Sequence, residues 1–177
     1  MDIKTGIKFI INILLTISVV SACDNLSNKK IINNQQIDST FKNKLIERQI
    51  GKSAYYISIP ENYSIKETEG PDFSVFYFSP TDTTIKTAFS GGLYFGNFPQ
   101  EFKPENKDCT TESIKGTILN NNKDWTVYNC KEKYFIQTIV DSKSGESWNE
   151  KIHAFGHGNS KSDINKILEI YSTLKKK

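Results

Sequence analysis

The chain has 177 residues, with 23 Lys or Arg against 20 Asp or Glu and a formal net charge of +3. That length suits one domain of ordinary size. So even a balance lacks the clustered positive charge through which nucleic acids or anionic membranes are held, and no nucleic-acid partner is expected. Arg48 is the only arginine, and Ile and Asn are abundant, so the lysine richness reads as a coding bias.

At the N-terminus, Lys4 and Lys8 precede an apolar run from Phe9 to Val20. About a dozen residues match the core of a secretory signal, whereas a spanning helix needs about 20. Asn12 interrupts the run, and no basic stop-transfer flank follows it, only Asp24 and Asn25. It closes on Val20-Ser21-Ala22-Cys23, which resembles a bacterial lipobox. The resemblance implies diacylglycerol transfer to the Cys23 thiol, removal of residues 1–22 as a lipoprotein signal peptide, and a mature chain that is tethered to a membrane rather than spanning it. Two or three acyl chains anchor stably where one is marginal. An ordinary signal cut near Ala22, leaving Cys23 free, is the alternative. Asp24 occupies a position that sorts lipoproteins in some envelopes and not in others.

Residues 23–44 are polar and Asn-rich, too poor in apolar surface to fold alone, and are expected to be a flexible tether. About 20 such residues would span on the order of 25 Å. Residues 45–177 remain as a single globular domain. With Cys23 assigned to lipid, Cys109 and Cys130 are the two other thiols of an exported chain, and an even remainder in an oxidising compartment suggests a disulfide. A bridge closing that loop is worth about 3 kcal/mol in the chain-entropy picture. A redox or metal pair is the other reading, but C-x-x-C spacing and an adjacent histidine are both missing.

Within the domain, Tyr55–Ile59 is a β-rich run stopped by Pro60, and Phe73–Phe78 is another, stopped by Ser79-Pro80. In the second, Val75 and Tyr77 face one way and Phe76 and Phe78 the other, so both faces ask for cover. Between Lys86 and Phe98, aromatic residues surround Gly91-Gly92 and Gly96, which are expected to mark a bulge, a bend or a close backbone approach. Trp125–Cys130 and Tyr134–Val140 flank the short polar connection Lys131-Glu132-Lys133, a hairpin pattern. A looser turn at Ser144-Gly145 leads to Lys151–Phe155. The chain then closes on a helix, with Ser160 and Asp163 as a variant capping box and Ile164, Ile167, Leu168, Tyr171 and Leu174 as its apolar stripe. Lys175-Lys176-Lys177 would be the solvated end of that helix, complementing its dipole.

The run Tyr56-Ile57-Ser58-Ile59-Pro60-Glu61-Asn62-Tyr63 is a strand entering Pro-x-x-aromatic. Followed by an aromatic strand, a late meander and a C-terminal amphipathic helix, it resembles the PsbP/DcrB-like fold. The resemblance implies an α+β domain built as an α/β/α sandwich, an antiparallel sheet flanked by helices. Functions across that fold range from photosystem assembly to envelope maintenance, so the fold alone names no activity.

Catalytic and metal chemistry find little footing. The two histidines, His153 and His157, are separated by residues that Gly156 and Gly158 keep from forming a helix. On an extended strand they would share a face about 13 Å apart, too far for one metal. His153 is expected in a strand and His157 in a loop. There is no G-x-S-x-G elbow, no calcium loop and no phosphate loop opening a helix. The carboxylates Glu61, Glu67, Glu69, Asp72, Asp82, Asp141, Glu146 and Glu150 are scattered. No catalytic residue, metal or cofactor is expected.

What stands out is aromatic: Tyr94, Phe95 and Phe98 beside the glycines, and Trp148 in a polar loop near Glu146 and Glu150. Aromatic residues are over-represented at interface hot spots. The expectation is a non-catalytic binding or assembly role at the bacterial cell envelope, on the periplasmic or outer surface. Its partners would be the bilayer, through Cys23, and an envelope protein. The plain alternative is that these rings complete the core. Two other classes are an immunity lipoprotein against a periplasm-acting toxin, favoured by an acidic face, and an envelope hydrolase, which needs a cleft joining His153 or His157 to a carboxylate.

Overall fold

Alternation decides most of the architecture in the computed structural model, which describes residues 39–85, 88–104, 108–142 and 151–177. The lipobox Val20, Ser21 and Ala22, the lipidation candidate Cys23, and Trp148 lie outside them. A short helix α1 (Ser39–Lys42) leads into strand β1 (Leu45–Gln49), which pairs with β2 (Tyr55–Pro60). In β2 the side chains of Tyr55, Ile57 and Ile59 are buried, while their neighbours are half-buried. Pro60, which can donate no ladder bond, ends the strand, and Glu61-Asn62 turns the chain into β3 (Tyr63–Glu69) of a different sheet.

That second sheet has seven strands, all antiparallel, in the order β3-β4-β5-β9-β8-β7-β6. One meander runs through β3, β4 (Phe73–Pro80) and β5 (Ser90–Gly96). The other runs through β6 (Thr110–Ile118), β7 (Asn121–Cys130), β8 (Lys133–Asp141) and β9 (Lys151–Gly158). The two join by pairing β5 with β9, so the chain must cross the sheet from β5 to reach β6 at the far edge. The β7–β8 hairpin turns at Lys131-Glu132, with Lys131 at φ 62°, and β6–β7 turns at Leu119-Asn120, with φ 50° and 60°. Cys109 and Cys130 form a disulfide where β6 begins and β7 ends.

Helix α2 (Lys161–Ser172) opens with the expected cap: the Ser160 hydroxyl accepts the Asp163 N–H at 3.1 Å and donates to the Asp163 carboxylate at 2.9 Å. Its stripe Ile164, Ile167, Leu168 and Tyr171 is buried against one face of the large sheet, beside Trp125, Ile136 and Ile152. The rest of that face, around Phe76, Leu93 and Phe95, is covered by β2, whose Tyr55 ring lies 5.2 Å from that of Phe95.

An α/β/α sandwich is therefore not what forms. Among the described residues there are ten strands and two helices, and only α2 is long enough to cover a sheet. The layer that flanking helices would have supplied is completed by a three-stranded sheet in the order β1-β2-β10. The lysine tail is corrected as well. Leu174, 1% exposed, pulls the chain back onto the core, so Lys175 and Lys176 form β10 against β2 instead of extending the helix. Lys175 and Lys177 both pair with Glu47 of β1. His157, expected in a loop, lies inside β9.

Among the described residues, α1 is docked on the domain although it lies in the stretch expected to be tether: Phe41 meets Phe89 edge-on at 6.1 Å, and Lys42 pairs with buried Glu169 at 2.9 Å. Among the described residues no helix is long and apolar enough to cross a membrane.

Candidate functional site

The face of the seven-stranded sheet opposite α2 carries the chain's unusual chemistry. Period-two geometry sends Phe73, Val75 and Tyr77 of β4 to this side. Across the ladder, the register places Tyr94 opposite both Val75 and His153, and Gly92 opposite both Tyr77 and Phe155. The next row brings Ser90, His157, Phe135 and Tyr128 together. Rings thus run almost continuously across the sheet. Phe73 stacks on Tyr94 at 5.6 Å, Tyr77 meets Phe155 edge-on at 5.9 Å, and His153 lies 5.4 Å from Phe155.

Two glycines set how those rings lie. A Cβ on Gly92 would come within 2.7 Å of the Phe155 ring, and one on Gly96 within 2.5 Å of the Tyr94 hydroxyl oxygen. Each ring therefore rests over a bare stretch of backbone, an aromatic cover for a strand glycine. Gly91, Gly92 and Gly96 mark close approach, with no bulge in the β5 register. Tyr77 remains 42% exposed, while Tyr94, Phe155, Phe73 and Phe135 are half-buried.

The crossing connection after β5 covers part of this face. Phe102 packs between Tyr128 at 5.8 Å and Phe135 at 5.7 Å. Gln137, 2% exposed, clamps the Phe102 backbone: its Oε1 accepts the Phe102 N–H at 3.1 Å and its Nε2 donates to the Phe102 carbonyl at 2.9 Å. That pattern orients the amide, so the same Oε1, 3.0 Å from His153 Nε2, must accept a proton carried on that nitrogen. His153 is held as a neutral donor. Burial pushes its pKa below the usual histidine value, with Glu101 opposing.

His157 Nδ1 and Nε2 each lie 3.3 Å from the Ser90 hydroxyl. Desolvation, then Lys133, lowers its pKa, which favours a neutral ring. A serine beside a neutral imidazole is the start of nucleophilic chemistry, but the base must be oriented by a third group, and no carboxylate partners either nitrogen of His157 among the described residues. Nor do the described residues contain three grouped metal-ligating side chains.

Of the aromatic residues singled out in the sequence, Tyr94 lies on this face and Phe98, 75% exposed, follows its strand. Phe95 does not join them: alternation turns it into the core, 4% exposed, against Tyr55 and Phe76. Trp148 falls outside the described residues. Sequence reasoning does not single out Phe73, Tyr77, Phe135, Phe155 or His157 for this face, although the opposed faces of Val75/Tyr77 and Phe76/Phe78 signal that β4 has two apolar sides.

Compared with family models, curated proteins and solved structures, the chain matches none of them.

Proposed function

We propose that the chain is a bacterial envelope lipoprotein, anchored through Cys23, whose aromatic sheet face docks an envelope protein in a non-catalytic binding or assembly role. The observation that carries this reading is the two neighbouring ring pairs Phe73–Tyr94 and Tyr77–Phe155, set side by side by the register and left partly exposed on the side that α2 does not cover. Rigid aromatic side chains offer large contact area at low entropic cost and dominate interface energetics. The face is mixed in charge: Lys66 stands opposite Tyr77 and Lys133 lies near His157, while Glu101 lies near His153. An immunity lipoprotein, which a predominantly acidic binding face would favour, draws no specific support from this mixture.

Pull-down of the intact lipoprotein from detergent-solubilised envelopes tests the reading, beside Tyr77→Ala and Cys23→Ala. A stoichiometric protein recovered with wild type, lost with Tyr77→Ala and no longer membrane-associated with Cys23→Ala, supports it. Recovery of the bait alone from all three rejects it.

A further inference from the structure

A concave feature lies away from the aromatic face, beside α1 and β1. Two of the large apolar side chains most exposed among the described residues, Ile46 and Ile85 at 37% and 42%, line a cavity of about 850 Å³. Ligand cavities fall in this range and are mostly apolar, with a few placed polar groups.

Its floor is aromatic. Tyr63 stacks on Phe89 at 5.0 Å, and Phe41 closes on Phe89 edge-on. The Tyr63 hydroxyl is spent on the Phe89 carbonyl at 2.9 Å, so it is already committed. At one side, Asp163 and Lys166 are also committed: the carboxylate takes the Ser160 hydroxyl, the Asn159 N–H and Lys166, whose ammonium also lies 5.7 Å over the Phe89 ring. Two other charged residues differ. Leu45 pairs with Pro60 at the end of the β1–β2 ladder; Lys44 immediately precedes the one and Glu61 immediately follows the other, and both line the cavity. Neither side chain has a hydrogen-bond or ion-pair partner among the described residues. Among the described residues, then, the lining combines apolar walls with one unpaired cation, Lys44, and one unpaired anion, Glu61.

We propose that this cavity binds a phospholipid with a zwitterionic head, acyl chain inside, phosphate toward Lys44 and ammonium toward Glu61. The charge pair decides between sources: a phospholipid drawn from the bilayer carries both complementary charges, whereas a diacylglyceryl group on Cys23 carries neither. The inference is independent of the aromatic face.

The test uses the intact chain reconstituted in phosphatidylethanolamine vesicles doped with phosphatidylethanolamine bearing a photoactivatable diazirine in its acyl chain, with labelled peptides mapped by mass spectrometry. Label concentrates on the peptides holding Phe41–Ile46 and Ile85–Phe89. It is lost from them in Ile46→Asp/Ile85→Asp, both at exposed positions, with the melting temperature retained. A phosphatidylglycerol probe of the same acyl structure labels the cavity less, and Lys44→Glu weakens the phosphatidylethanolamine signal. Labelling spread evenly over surface peptides, equal labelling by both headgroups, or a cavity that neither probe reaches overturns the proposal.

Discussion

The Tyr171 hydroxyl lies 2.5 Å from the carbonyl oxygen of Phe155, so that a side chain of helix α2 bonds directly to the backbone of β9. The same oxygen accepts the Gly92 N–H at 3.0 Å and lies 2.8 Å from the Gly92 carbonyl in β5. Beside it, Gly91 and Gly156 are paired across the ladder. The bare backbone there is closed by the Phe78 ring and by Ile167: a Cβ on Gly91 would meet Phe78 at 2.5 Å, and one on Gly156 would meet Ile167 at 3.1 Å. One phenol thus fastens the helix to the junction of the two meanders. Tyr171→Phe keeps the ring stacked on Trp125 but leaves buried backbone groups short of a partner. It is expected to cost about 1–3 kcal/mol, read as a lower denaturant midpoint with an unchanged slope.

Burial raises the pKa of both Tyr171 and Tyr63, with Asp163 adding to the effect at Tyr63. The unfolded phenol ionises near its ordinary value of about 10, while the folded one stays protonated. Each group therefore contributes stability that is whole below that value and is lost as pH rises beyond it. Denaturation midpoints should fall through the alkaline range less steeply for Tyr63→Phe than for wild type. Parallel curves would mean that Tyr63 ionises normally in the fold.

At acid pH the sign reverses for His153, whose pKa burial lowers. The unfolded imidazole takes up its proton near pH 6.5 and the folded one only further down, so this contribution is present above that pH and lost as pH falls. His153→Gln retains an amide N–H at the position of Nε2 for Gln137, without a titrating ring. Its stability should be flatter than wild type's between about pH 7 and 5, and an unchanged slope would contradict the buried neutral assignment.

Elements with strong internal patterning are legible in the amino-acid sequence. Tyr55–Ile59, the Trp125–Val140 hairpin and the stripe of α2 each declare a buried face in a few residues, and Ser160 with Asp163 declares where the helix begins. Strands β1, β3 and β6 are not legible in the same way, because Leu45–Gln49, Tyr63–Glu69 and Thr110–Ile118 lie at sheet edges with mostly exposed side chains. Their extended form comes from their partners. The aromatic face has the same origin: Tyr77, Tyr94 and Phe155 come from three strands, and only the non-local pairing of β5 with β9 brings them together. The lysine tail misleads because helical periodicity continues to Leu174, whose burial is satisfied just as well by a turn back onto β2.

The Cys109–Cys130 bridge spans a sequence separation of 21 across the β6–β7 hairpin. Reduction, or Cys109→Ser, Cys130→Ser and the double variant alike, should cost about 3 kcal/mol. The far-UV circular dichroism should remain, because the ladder pairs these strands without the bridge. A double variant as stable as wild type would show that the bridge adds nothing to the fold.

The most direct test of the docking face is site-specific photo-cross-linking in intact envelopes, with benzoylphenylalanine in place of Tyr77 and, as a control, of exposed Lys52 in the β1–β2 turn. One discrete protein adduct is expected from position 77, absent from position 52 and abolished when Phe155→Ala removes the neighbouring ring while the melting transition persists. The same adducts from both positions, or none from position 77, would contradict it.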